Sequence, residues 1–139
     1  MSVERRLVYH GRTFRIAFAR DHSGVSPAEA FYDGLPPNEK AQLDKLFHIL
    51  GDENLGVPRN PKKFGVLDHE LYEFKSFQIR MPFAYAKGDR RLVLITHGFR
   101  KQRDKTPPSE ITKAKRILQE DPDYSKICVI TDHQKRKRP

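Results

Sequence analysis

Six basic side chains in the second half of the chain have the types and spacing to grip phosphate: Lys75, Arg80, Arg100, Lys101, Arg103 and Lys105. Arginine offers planar, bidentate donors and lysine a compact point charge, so a mixed group of this kind suits a phosphodiester. Lys75 shares one face of a strand with Glu73. Arg80 lies on the following strand and points away from Phe77, Ile79 and Met81 by alternation. The cluster at 100–105 leaves the end of a third strand, and Arg91 joins it as a further candidate for RNA binding. If the register aligns these strands, several cations converge on one sheet face. Tyr72, Phe74 and Tyr85 are interleaved with them, as base stacking requires. The simpler reading of the same three is structural, Phe74 as core and Tyr72 and Tyr85 as partly buried sheet residues. Arg80 has its own plain alternative, an ion pair with Glu73, and Lys101 and Lys105 can simply solvate a loop.

Other chemistries find few residues to carry them. His10, His22, His48, His69 and His133 stand apart, without metal-ligand spacing. His97 ends an apolar strand, where a satisfied core histidine is a simpler reading than an acid or base. Carboxylates gather only at Asp52 with Glu53 and at Asp121 with Asp123, so a divalent-metal nuclease centre has no visible ligands. There is no glycine-rich phosphate loop, and no Ser/His/Asp or Cys/His pattern; no cofactor is expected. For an enzyme acting on nucleic acid, this composition favours a metal-free route on RNA. The 2′-hydroxyl attacks its own phosphate, a base takes its proton, cations stabilise the phosphorane, and an acid serves the leaving oxygen. A lysine whose pKa is depressed among other cations can move a proton. DNA lacks the hydroxyl, so RNA is the preferred substrate of such a group.

Whole-chain charge points the same way. The 139 residues hold 27 Lys and Arg against 18 Asp and Glu, a net charge of +9 that favours a polyanionic partner. Residues 1–69 carry +1 and residues 70–139 carry +8, half of it in the tail Lys135-Arg136-Lys137-Arg138. Residues 133–139 are expected to be a disordered end that adds non-specific affinity, beyond a single domain at 1–132. Cys128 is the single cysteine, which excludes an internal disulfide framework. Leu92-Val93-Leu94-Ile95 is too short to cross a bilayer, and no signal-peptide core follows Arg5 and Arg6. A cytoplasmic protein without a membrane partner is expected.

The elements that must position these cations follow from local patterns. Phe14, Ile16 and Phe18 alternate as a strand. Ser26-Pro27-Ala28-Glu29 is a capping box opening a short helix that stops at Gly34. Pro36-Pro37 starts a second helix with the stripe Leu43, Leu46, Phe47 and Leu50, ended by Gly51. Residues 51–69 read as an irregular loop. Strands are expected at 71–76, 77–85 and 92–97, with a hairpin turn at 87–90 and a bulge or unpaired edge at Pro82. Thr106-Pro107-Pro108 opens a third helix with Ile111, Ala114, Ile117 and Leu118 on one face, ending at Pro122. Residues 127–130 suit a short last strand. The order predicts an α+β fold: a small, mainly antiparallel sheet with an N-terminal helical hairpin and a C-terminal helix, the helices on one face.

Four stretches in this order, Leu71-Tyr72-Glu73-Phe74-Lys75, Gln78-Ile79-Arg80, residues 94–101 (Thr96-His97-Gly98-Phe99 within them) and residues 105–114, resemble one family. It is the RelE/ParE superfamily of toxins from bacterial and phage toxin–antitoxin modules, in particular its HigB-like, phage-related branch, and the resemblance covers about residues 26–121. It implies a RelE-like fold and a metal-independent mRNA endoribonuclease (an mRNA interferase) that acts on translated messages at the ribosome and is neutralised by a cognate antitoxin. It also implies catalytic roles for Arg80, Lys101 and Lys75, and RNA binding by Arg100 and Lys105; Arg91 and Arg103 are RNA-binding candidates by their charge alone. The Tyr or His that some members place near their C-terminus has no counterpart in the aligned stretch, so the acid and base stay open. Two other readings share the residues: a ParE-like inhibitor of DNA gyrase without nuclease activity, and a non-catalytic RNA-binding module.

Overall fold

The computed structural model describes residues 6–53, 56–102 and 105–125. The chain opens with a hairpin of β1 (Leu7–His10) and β2 (Arg15–Phe18), followed by helices α1 (Pro27–Asp33) and α2 (Pro37–Gly51). Then come β3 (Phe64–Asp68), β4 (Leu71–Ser76), β5 (Ile79–Tyr85), β6 (Leu92–Ile95), the two-residue β7 (Phe99–Arg100) and α3 (Pro108–Glu120). These strands form one sheet in the order β1-β2-β6-β5-β4-β3, with β7 also pairing with β5. Its pairings are antiparallel except for β2 against β6.

Helix boundaries follow the local signals. Ser26 Oγ accepts the Glu29 amide at 3.3 Å, and Pro27 is the first residue of α1. Leu43, Leu46, Phe47 and Leu50 of α2 are all buried, as their spacing requires. The last turn of α2 is tied to the β1–β2 hairpin, because Gly51 O accepts the amides of Thr13 and Phe14 at 2.9 and 2.8 Å.

The sheet has a core on each face. On one, α1 and α2 cover Ile16, Phe18, Phe74, Met81, Phe83 and Ile95. On the other, Ala114, Ile117 and Leu118 of α3 pack on Ala17, Ala19, Leu71, Ala84, Leu92 and Leu94. The expectation that the helices share one face is therefore corrected. The outward-alternating positions of β4, β5 and β6 form a second apolar surface, and their alanines leave room for a helix to approach. Beyond that patch, alternation brings Glu73, Lys75 and Arg80 to the same side as α3.

Further points also differ from the sequence expectation. Residues 64–68 are strand β3 and not loop, because Phe64 and Val66 pair with Phe74 and Tyr72. Phe77 is not in a strand: Ser76 pairs directly with Ile79, which leaves Phe77 and Gln78 as a two-residue turn. Pro82 lies inside β5, between β4 and β6, and its carbonyl accepts the amide of Thr96 at 2.9 Å, with the Thr96 hydroxyl 3.3 Å away. The irregularity falls on the facing strand, where pairing shifts by one residue between Ile95 opposite Phe83 and Phe99 opposite Arg80. The strand expected at 127–130 and the basic tail lie outside the described residues.

Candidate nucleic-acid interface

Arg80 is the fixed centre of the basic group. It is 7% exposed, and its Nη1 donates to the carbonyls of Phe77 and Ile79 at 2.7 and 2.8 Å. Both carbonyls belong to the β4–β5 turn region, so the backbone that reverses the chain also clamps the guanidinium. Nε and Nη2 make no hydrogen bond among the described residues, and these two nitrogens form a donor pair of the geometry that chelates two oxygens of a phosphate. Burial pulls the guanidinium down from its ordinary value, and the charge of Glu73 acts against that pull. Arginine stays protonated through such a shift, since its ordinary value lies so far above neutrality.

The structural alternative, an Arg80–Glu73 ion pair, is not what forms. Glu73, itself buried, accepts the Thr106 hydroxyl at 2.7 Å. The carboxylate thereby anchors the end of the basic loop to β4. The other end of that loop is fixed by the Lys101 amide, which donates to Gln78 O at 2.7 Å. Lys101 continues the β7 ladder, and alternation puts it on the side of Phe99, the residue opposite Arg80. Lys105 is exposed and directly precedes Thr106. Lys75 is the cross-strand partner of Arg80, and its Nζ donates to Pro61 O at 2.9 Å. Among the described residues no carboxylate pairs with Lys75, Arg80, Lys101 or Lys105.

Not every basic candidate joins this group. Arg100 is the neighbour of Ile79, on the face of the helical hairpin, and its guanidinium binds both oxygens of Glu39 at 2.6 and 2.9 Å. Arg91 is exposed at the start of β6, at the opposite end of the strands from Arg80. Arg103 lies outside the described residues. Lys62 and Lys63, which sequence reasoning passed over, are exposed beside Pro61, the residue that holds Lys75. A lysine pair directly after an Asn-Pro turn was the available signal.

Tyr72 and Tyr85 pack against the core of the hairpin face and Phe74 is fully buried in it, so all three aromatics are sheet core. His97 is 1% exposed. Its Nε2 lies 2.9 Å from Glu110 and its Nδ1 3.0 Å from the Thr96 hydroxyl. Its ring stacks on Phe99, with centroids 5.5 Å apart. Burial lowers its pKa, and the hydrogen bond to Glu110 opposes that shift without reversing it. The neutral ring donates from Nε2 to Glu110 and accepts at Nδ1. It is a strut between the sheet and the first turn of α3.

A turn-clamped arginine, with unpaired lysines around it on a small sheet, is now a defined arrangement. The sequence profile of phage-derived Gp49-like proteins (DUF891) matches residues 30–119, well over half of the chain. The chain belongs to this family. The Gp49-like family is toxin-like and falls within the RelE/HigB-like toxin superfamily, which fits a toxin–antitoxin context and an antitoxin partner. No curated protein matches the chain. The matched stretch of this Gp49-like chain includes β4, β5, the basic loop and almost all of α3, and with them Lys75, Arg80, Lys101 and Lys105. Among the described residues no helix is long and apolar enough to cross a membrane, and no three His, Cys, Asp or Glu side chains gather as a metal site.

Proposed function

We propose that this Gp49-like protein is a HigB-like toxin of a toxin–antitoxin module that cleaves mRNA on the ribosome by a metal-independent route. The observation that carries the reading is Arg80: a buried, doubly anchored guanidinium that keeps two donor nitrogens for a ligand and has no carboxylate partner. In the reaction, the 2′-oxygen bonds to the adjacent phosphorus as the 5′-oxygen leaves, yielding a 2′,3′-cyclic phosphate and a 5′-hydroxyl end. Charge builds on the non-bridging oxygens along the way. A donor already held in place meets that charge without reorganisation, and removing one such donor costs about 10²–10³-fold in turnover. Lys101 adds charge stabilisation or proton transfer beside it. Lys75 and Lys105 hold the flanking phosphates.

The test is cleavage of a defined message on programmed ribosomes, with mapping of the new ends. Wild type should give cyclic-phosphate and 5′-hydroxyl products, and Arg80→Ala should lose about 10²-fold or more in rate. A message left intact by the wild type, or cut as fast by Arg80→Ala, overturns the reading. A thermal melt of the variant shows that it is folded when assayed.

A further inference from the structure

Phe77 is 81% exposed, more than any other large apolar side chain among the described residues. It also holds an unusual backbone conformation. As the first residue of the two-residue β4–β5 turn it takes φ 54. In this left-handed region the Cβ of a bulky L-residue crowds its own backbone, and glycine is the ordinary choice. The turn itself has a use, since it aims the Phe77 carbonyl at Arg80 Nη1, 2.7 Å away. That use needs only backbone, which glycine supplies with less strain. The ring makes no aromatic or cationic contact among the described residues. Neither packing nor turn geometry accounts for a phenyl group at this tip.

We infer that Phe77 is a stacking platform for one unpaired base of an RNA strand whose phosphate is held at Arg80. The inference rests on the nucleic-acid reading above and deepens it by naming the contact that engages a base. Because the Phe77 carbonyl binds the Arg80 guanidinium, an apolar ring and a phosphate donor belong to one rigid hairpin end. A nucleotide presents the matching pair, a flat base and a phosphate joined through one sugar. Every base has a π-face, so such a platform tolerates any sequence, but it needs the base unstacked. The ligand class is therefore single-stranded RNA, and a duplex does not satisfy the site.

The experiment measures binding and not cleavage. The full chain is titrated by fluorescence anisotropy into a short single-stranded oligoribonucleotide, and into a ribose-phosphate strand of equal length without bases. Phe77→Gly should bind the base-bearing strand about 5- to 150-fold more weakly than wild type. It should bind the base-free strand as wild type does, and melt at a higher temperature because the turn is relieved. Phe77→Trp should keep wild-type affinity. Unchanged affinity of Phe77→Gly for the base-bearing strand overturns the inference, as does an equal loss on both strands. A variant that binds RNA normally but fails to bind a protein antitoxin reassigns the ring to protein docking and overturns it too. Phe77-dependent binding without message cleavage would sink the nuclease reading and leave the platform standing. Cleavage by the wild type with Phe77-independent binding does the reverse.

Discussion

His97 offers a measurable test of how the sheet end is held together. The ring is 1% exposed and its pKa is lowered by burial, while Glu110, 2.9 Å away, pulls in the opposite direction. Lys113 and Arg116 of α3 add to the lowering. The folded protein therefore keeps His97 neutral in a range where the unfolded chain, titrating near 6.5, takes up a proton. The unfolded state binds more protons, so stability falls as pH drops below about 6.5. The loss between pH 7.5 and 5.5 has a ceiling of roughly 1 kcal/mol, reached when the folded ring takes up no proton over that range. The perturbation is His97→Gln, whose amide retains a donor toward Glu110 but does not titrate. Urea unfolding of both proteins at pH 7.5, 6.5 and 5.5 gives the answer as a difference of differences, in which the other titrating groups cancel. The wild type should lose more than the variant across that range, by up to roughly 1 kcal/mol. Parallel losses would mean that the folded ring titrates like the unfolded one. A wild type that gains stability on acidification would mean that Glu110 wins and the pair is a buried salt bridge. Either result refutes the reasoning.

Three shorter predictions concern packing and the basic group. A Cβ at Gly11 would lie 2.3 Å from Gly51 O, backbone against backbone, so Gly11→Ala should separate the β1–β2 hairpin from α2. It should lower the urea midpoint by the equivalent of about 1–3 kcal/mol or more, and an unchanged midpoint would contradict the close approach. A Cβ at Gly65 would lie 2.9 Å from Lys75 Cε and 3.2 Å from Glu73 Oε2. Gly65→Ala should weaken binding of single-stranded RNA several-fold, roughly the effect of displacing one phosphate contact, with little change in melting temperature; wild-type affinity would show that Lys75 is not engaged. Tyr32→Phe removes the hydroxyl that donates to Asp44 at 2.5 Å and should cost about 1.5–3 kcal/mol of stability in chemical denaturation, a loss that should vanish in an Asp44→Ala background.

Much of the fold was legible because its signals are local. The capping box at Ser26, the α2 stripe and the α3 stripe each lie within a few turns of chain, and their elements form where those patterns place them. β4, β5 and β6 were legible through alternation and apolar runs. β3 was not, because Gly65 and the prolines before it read as loop, and only pairing with β4 makes it a strand. The second apolar face was present in Leu71, Leu92 and Leu94, yet its alanines carry little hydrophobic signal until a helix is seen to need the room.

The sequence by itself determined the chemistry available: arginines and lysines suited to phosphate, and strand parity that puts Arg80 on the face away from Ile79 and Met81 and Lys75 with Glu73. Tertiary structure decided which cations are paired with carboxylates inside the protein and which are not. Arg100 and Lys101 are adjacent in the chain, but the one-residue shift in pairing along β5 sends Arg100 to Glu39 and sets Lys101 on the side of Arg80. Phe77 read as one more core residue of a strand until the Ser76–Ile79 pair made it the exposed tip of a turn. Parity is a property of one strand and can be counted along it. Register is a relation between strands distant in sequence, set by hydrogen bonds and packing that form only when the sheet assembles.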